Sequence, residues 1–135
     1  MELVGGEGWE ISVLDGWTAV DEGECISIVK SDNGGAITIS ALIDEDEDIS
    51  QDELEIYGRS KLPAGAKLRK QTIGEFAGFT TEYTDEQEIY WLHSWLAFQD
   101  LLVYFSYNGD PAAWEVEKED VRKILVTLQV ESEHE

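Results

Sequence analysis

The chain has 135 residues and carries 30 Asp and Glu against 9 Lys and Arg, a formal net charge of −21. A surface of that sign repels nucleic acid and anionic membrane and attracts cations and basic proteins, with encounter rates that salt suppresses. Five Trp, five Tyr and four Phe within an apolar content of 42% exclude a disordered acidic tail, because disordered chains are poor in aromatics.

This length suits one domain over residues 1–135. Cys25 is the only cysteine, so no internal disulfide can form. Met1 to Glu10 has neither a basic stretch nor an apolar run, and no segment approaches a membrane span, so the expectation is a cytoplasmic bacterial protein without a signal peptide. The charge is uneven. Arg59, Lys61, Lys67, Arg69 and Lys70 fall in an acid-free window from Ile56 to Gly74. That island either offsets acidic neighbours in the fold or makes a local contact with an anion or partner.

In chain order, Trp9 to Leu14 alternates as a short strand and Asp15-Gly16 turns it. Cys25 to Lys30 is the next strand. Asp32-Asn33-Gly34-Gly35 reads as a hairpin turn, since Asn and Gly accept positive φ. Ala36 to Ile43 follows, with Ile37, Ile39, Ala41 and Ile43 on one face. After the acidic run Asp44 to Asp48, Ser50 and Glu53 form a capping box that opens a helix over 50–62, ended by Leu62-Pro63 and Gly65. Leu68 to Ile73, Phe76 to Tyr83, Ile89 to Phe98 and Leu101 to Tyr107 are strands. The last two are apolar on both faces and so belong at the centre of a sheet. Trp91, His93 and Trp95 share one face of their strand, and Tyr90, Leu92, Leu96 and Phe98 the other. Asp110 caps a final helix over 111–128 with Pro111 at its first position. Trp114, Val121, Ile124, Leu125 and Leu128 form its buried stripe, while Glu115, Glu117, Glu119 and Asp120 suit the helix dipole. The tail 131–135 is polar and expected to fray. Short hairpin turns make one antiparallel sheet of six or seven strands, an α+β domain.

Few constellations carry chemistry. Asp44, Asp46, Asp48, Ser50, Asp52 and Glu55 fall at the ligand positions of a helix–loop–helix calcium site. However, Ile49 stands where the turn needs Gly, and a strand rather than a helix precedes the loop. A solvated acidic loop is the reading adopted, with no metal and no cofactor. Cys25 and His93 would serve as nucleophile and base only if the fold brought them together; both are read as structural. Two His and one Cys leave a zinc site short of ligands without a carboxylate. Abundant carboxylates give no acid–base signal without a pocket. Gly34-Gly35 and Gly5-Gly6-Glu7-Gly8 lack the following helix of a phosphate loop. Trp91 and Trp95 are read as core under the last helix, the alternative being an aromatic ligand surface with His93.

Several segments together resemble a known family: Trp9, Gly16-Trp17, Gly35 to Ser40, Gly74-Glu75-Phe76-Ala77-Gly78-Phe79 with Tyr83, Tyr90-Trp91 with Trp95, Tyr104 to Asn108, and a last helix ending near Ile124-Leu125. The chain resembles small bacterial proteins with the PsbP-like fold, which is shared by photosystem extrinsic proteins and a nuclear-import factor that binds a small GTPase. The resemblance implies an α/β/α sandwich around a mostly antiparallel sheet, and a non-catalytic binding role. Members bind proteins through different surfaces, so no functional residue carries over. With no secretion signal or lipoprotein anchor expected, a photosystem role is not expected either.

The functional expectation is therefore a non-enzymatic module with a basic protein partner, in its sharpest form an immunity protein neutralising a basic toxin. Asp44, Glu45, Asp46, Glu47 and Asp48 are the expected contact, with solubility as the competing reason for their charge. The alternative is a small enzyme or ligand carrier with a pocket around Trp91, His93 and Trp95.

Overall fold

Alternating apolar residues build two antiparallel sheets, and two amphipathic helices cover opposite faces of the larger one. The structure, a computed structural model, describes residues 2–30, 34–63 and 66–131. A three-stranded sheet has the order β1-β2-β10, from β1 (Glu2–Gly6), β2 (Trp9–Val13) and β10 (Gln129–Val130). The seven-stranded sheet takes β3 (Thr18–Asp21), β4 (Ile26–Val29), β5 (Ala36–Ile43), β6 (Arg69–Ile73), β7 (Phe76–Thr84), β8 (Tyr90–Phe98) and β9 (Leu101–Gly109). Its order is β3-β4-β5-β9-β8-β7-β6. The sheet is thus two hairpin-connected meanders, β3–β5 and β6–β9, joined where β5 pairs β9 from Ala36↔Asn108 to Ile43↔Leu101.

The expected single sheet is corrected in one respect. Trp9–Val13 leaves the main sheet and pairs with β1 and β10. Its Trp9, Ile11 and Val13 then pack with α2 (Pro111–Leu125) over the main sheet, in one cluster with Ile28, Ile37, Ile39, Phe105 and Tyr107. Tyr90 stacks on Trp114 there at 4.3 Å. The expected turn at Asp32-Asn33 lies outside the described residues, as do the helix stop at Gly65 and the tail from Ser132, His134 included. Glu131 is tied to the β1–β2 turn by its backbone N–H, which donates to the Gly8 carbonyl at 3.1 Å.

On the other face lies α1 (Gln51–Ser60), started by the capping box that Ser50 and Glu53 form. Leu54 and Gly58 turn inward onto Phe79, Trp95, Ala97 and Leu102. Gly58 packs closely there: a Cβ at this position would stand 3.4 Å from the Trp95 ring, in van der Waals contact. A further correction follows. Trp91, His93 and Trp95 lie on the face of α1, not under the last helix, because side chains alternate along β8 and α2 takes the Tyr90 and Leu92 side. The molecule is an α+β sandwich, with α1 on one side of the seven-stranded sheet and α2 with the small sheet on the other.

Candidate functional site

The aromatic constellation is real but closed. His93 lies between Trp91 and Trp95 with near-parallel rings at 5.3 and 5.5 Å, and beside Tyr104 at 5.8 Å. Its Nδ1 is 2.5 Å from the Tyr104 hydroxyl and its Nε2 3.0 Å from the Tyr83 hydroxyl. A neutral imidazole has one donor and one acceptor, so one tyrosine donates to it and the other accepts from it. Only 8% of His93 and 2% of Trp95 are exposed. Burial pulls the His93 pKa down to about 4 and pushes both tyrosine hydroxyls up. Thr81, directly across from His93, is buried with a hydroxyl oxygen that has no partner among the described residues.

Half-buried Trp91 donates its indole N–H to Asp85 at 2.9 Å. The Asp85 carboxylate also accepts the Ile89 and Gln87 amides, and these bonds, that of Ile89 foremost, hold its pKa below the usual carboxylate range. Next to it an open cleft of about 570 Å³ runs between Pro63 and Ala66 on one side and Tyr83 to Gln87 on the other. Trp91, His93 and Trp95 do not line it.

Cys25 and His93 are not brought together. Cys25 precedes β4, and β5 and β9 stand between β4 and β8, a separation of roughly 14 Å at about 4.8 Å per strand. Among the described residues no three His, Cys, Asp or Glu side chains are grouped to hold a metal. Glu55, the twelfth position of the calcium-loop pattern, ion-pairs with Arg59 at 2.9 Å. Ile49, at the sixth, packs on the cluster under α1. The basic island is partly drawn into such pairs, Arg59 with Glu55 and Arg69 with Glu82.

The acidic loop is held at both ends. The Asp44 N–H donates to the Asp100 carbonyl and the Ile49 N–H to the Gln99 carbonyl, each at 2.8 Å. Asp44 is half-buried and its side chain accepts the Asp46 N–H at 3.0 Å, while Glu45, Asp46, Glu47 and Asp48 stand exposed. The register places this loop at the same end of the molecule as four other turns, those at Glu7-Gly8, Glu22 to Cys25, Gly74-Glu75 and Gln99-Asp100. Every one of these turns carries acid and none carries Lys or Arg. Between them a groove of about 390 Å³ opens between the two sheets. Ala41 and half-buried Ile43 contribute apolar surface to it above the buried Ile26, Ile39, Leu101 and Trp9, and exposed Glu7, Asp21, Glu24 and Glu45 line it.

The sequence reading missed Glu117. The dipole argument groups it with Glu115, Glu119 and Asp120 at the positive end of the last helix, yet α2 has no acid in its first turn and Glu117 is 3% exposed. Its Oε1 accepts the Gly35 N–H at 2.9 Å and the Tyr107 hydroxyl at 2.8 Å. A Cβ at Gly35 would collide with the Tyr107 hydroxyl, so the glycine serves this close approach.

No family model matches the chain, and no curated protein matches it. Solved structures do. A crystal structure from Bacteroides thetaiotaomicron VPI-5482 aligns with TM-score 0.69 at 14% identity, over 94% of this chain and 46% of that one, so this chain spans less than half its length. The solution structure of cyanobacterial PsbP (CyanoP) from Synechocystis sp. PCC 6803 aligns at 0.59 and 15% identity, covering 92% and 87% of the two chains. LpqN, involved in cell envelope biogenesis of Mycobacterium tuberculosis, aligns at 0.59 and 14%, covering 96% and 89%. These likenesses give the chain the PsbP-like fold. Among the described residues no helix is long and apolar enough to cross a membrane.

Proposed function

We propose that this chain is a non-catalytic protein-binding module whose acidic end captures a basic protein in the cytoplasm, most sharply as an immunity protein neutralising a basic toxin. The observation that carries the reading is the uneven charge of the two ends: the five turns at one end carry acid and no Lys or Arg, whereas the opposite end carries both its own acidic turn, Asp85 to Glu88, and Lys30, which ion-pairs with Asp120. Scattered carboxylates would serve solubility equally well. Gathered ones build a directional field that steers a cationic partner. The pinned loop from Asp44 to Asp48 presents its carboxylates from an ordered base, which lowers the ordering cost of docking. A ligand pocket around Trp91, His93 and Trp95 draws less support, since both His93 nitrogens are engaged and two of the three rings are buried.

The test is kinetic. A basic partner isolated from the host is expected to associate at a rate that falls steeply as ionic strength rises from about 0.01 to about 0.15 M, where the Debye length shrinks from roughly 30 to roughly 8 Å. Replacing Asp44, Asp46 and Asp48 together by Asn is expected to slow association and leave the fold intact. An unchanged rate in that variant would remove the loop from recognition.

A further inference from the structure

We propose that the groove between the two sheets seats an extended Lys- or Arg-containing segment of the basic partner. This rests on the protein-binding reading above and specifies where and how the partner is held. The groove has the two properties such a segment needs. Its wall offers Ala41 and half-buried Ile43 as apolar surface for the methylene stems of Lys or Arg, over a floor of buried Ile26, Ile39, Leu101 and Trp9. The carboxylates of Glu7, Asp21, Glu24 and Glu45 are exposed around it to meet the charged heads, and among the described residues no Lys or Arg lines it.

The carboxylates come from three separate connections: the β1–β2 turn, the β3–β4 hairpin and the loop after β5. Charges spread in this way match cations borne by alternate residues of an extended strand better than one compact cation. A metal ion would need its ligands gathered, and among the described residues they are not. A second copy of this chain would bring another −21 charges to the same place.

The chain contains its own reporter. Cys25 lines the groove and is the only cysteine, so its alkylation reads occupancy directly. The probe is the blocked peptide acetyl-Lys-Val-Lys-Val-Lys-amide at low salt, with neutral iodoacetamide as reagent. The peptide is expected to slow Cys25 alkylation at least about fivefold, and a peptide with Asn in place of each Lys to leave it unchanged. Ala41→Arg places a resident cation at an exposed groove position and is expected to weaken peptide binding at least about tenfold. Ile56→Arg adds the same charge on α1, at an exposed position outside the groove, and is expected to change affinity less than about twofold.

Peptide binding that leaves Cys25 unprotected and ignores Ala41→Arg would overturn the groove while leaving the acidic-end reading standing. Absence of peptide binding would likewise overturn the groove, and the association-rate test with the native partner would decide the broader reading by itself. A dimer in sedimentation that Ala41→Arg dissolves would identify a second copy as the occupant and overturn the proposal.

Discussion

His93 is kept neutral by geometry. Protonation would turn both ring nitrogens into donors, and one tyrosine hydroxyl would lose the acceptor it now donates to. Burial acts in the same direction and brings the folded pKa down to about 4, against about 6.5 for an unfolded histidine. The unfolded chain therefore takes up the proton first as pH falls. Stability from this group is complete above about pH 6.5, is lost through the window down to about 4, and amounts to roughly 2 kcal/mol lost by pH 5. Urea unfolding of the wild type and of His93→Gln at pH 8 and pH 5 checks this. The wild type is expected to lose about 2 kcal/mol more than the variant between the two conditions. Equal losses would show that the imidazole is not held neutral by the fold.

At the scale of elements, α1 is the lid over Trp95, and it is short. Its ten residues bury only Leu54 and Gly58, so its N-terminal cap carries a large share of its local stability. Ser50→Ala is expected to cost about 1 kcal/mol in urea unfolding and to speed amide exchange across α1 before the central strands. Exchange that accelerates uniformly would assign the cap no local role. The capping box was legible because its signal is four residues long, and β5, β8 and β9 were legible because their alternation is sustained. β1 was not: Glu2–Gly6 has two apolar residues and two glycines, and it becomes a strand only through its pairing with β2. β3 and β10, at four and two residues, carry too little pattern to stand out. Which sheet Trp9–Val13 joins depends on partners at Gln129 and Val130, far along the chain. The acidic loop could be read from charge alone. The groove could not, since Glu7, Asp21, Glu24 and Glu45 meet only in space. Glu117 did leave a trace: Trp114, Glu117 and Val121 fall at helical spacing, which puts the carboxylate on the buried stripe.

For the whole molecule, the gathered acids repel one another in the folded state more than in the expanded chain. Salt is therefore expected to stabilise the protein, raising Tm by several degrees between about 0.01 and about 0.15 M NaCl. The variant with Asn at 44, 46 and 48 is expected to melt higher than wild type at low salt and to gain less from added salt. Calorimetric scans of the two proteins at both salt levels check this. A wild-type Tm indifferent to salt would mean that bases elsewhere on the surface already balance the field.

The pairing of β5 with β9 also governs how the chain finds its shape. Each meander can zip from its own hairpins, but every pair along this seam closes a loop of roughly sixty to seventy residues. Closure of that kind is slow, and it places the protein among domains that fold in milliseconds to seconds rather than microseconds. The seam is then the natural place for the rate-limiting step. Ile39→Val on β5 and Val103→Ala on β9 are expected to slow refolding in stopped-flow chevrons with φ above about 0.5, whereas Ile28→Val at the outer β4 is expected to act mainly on unfolding.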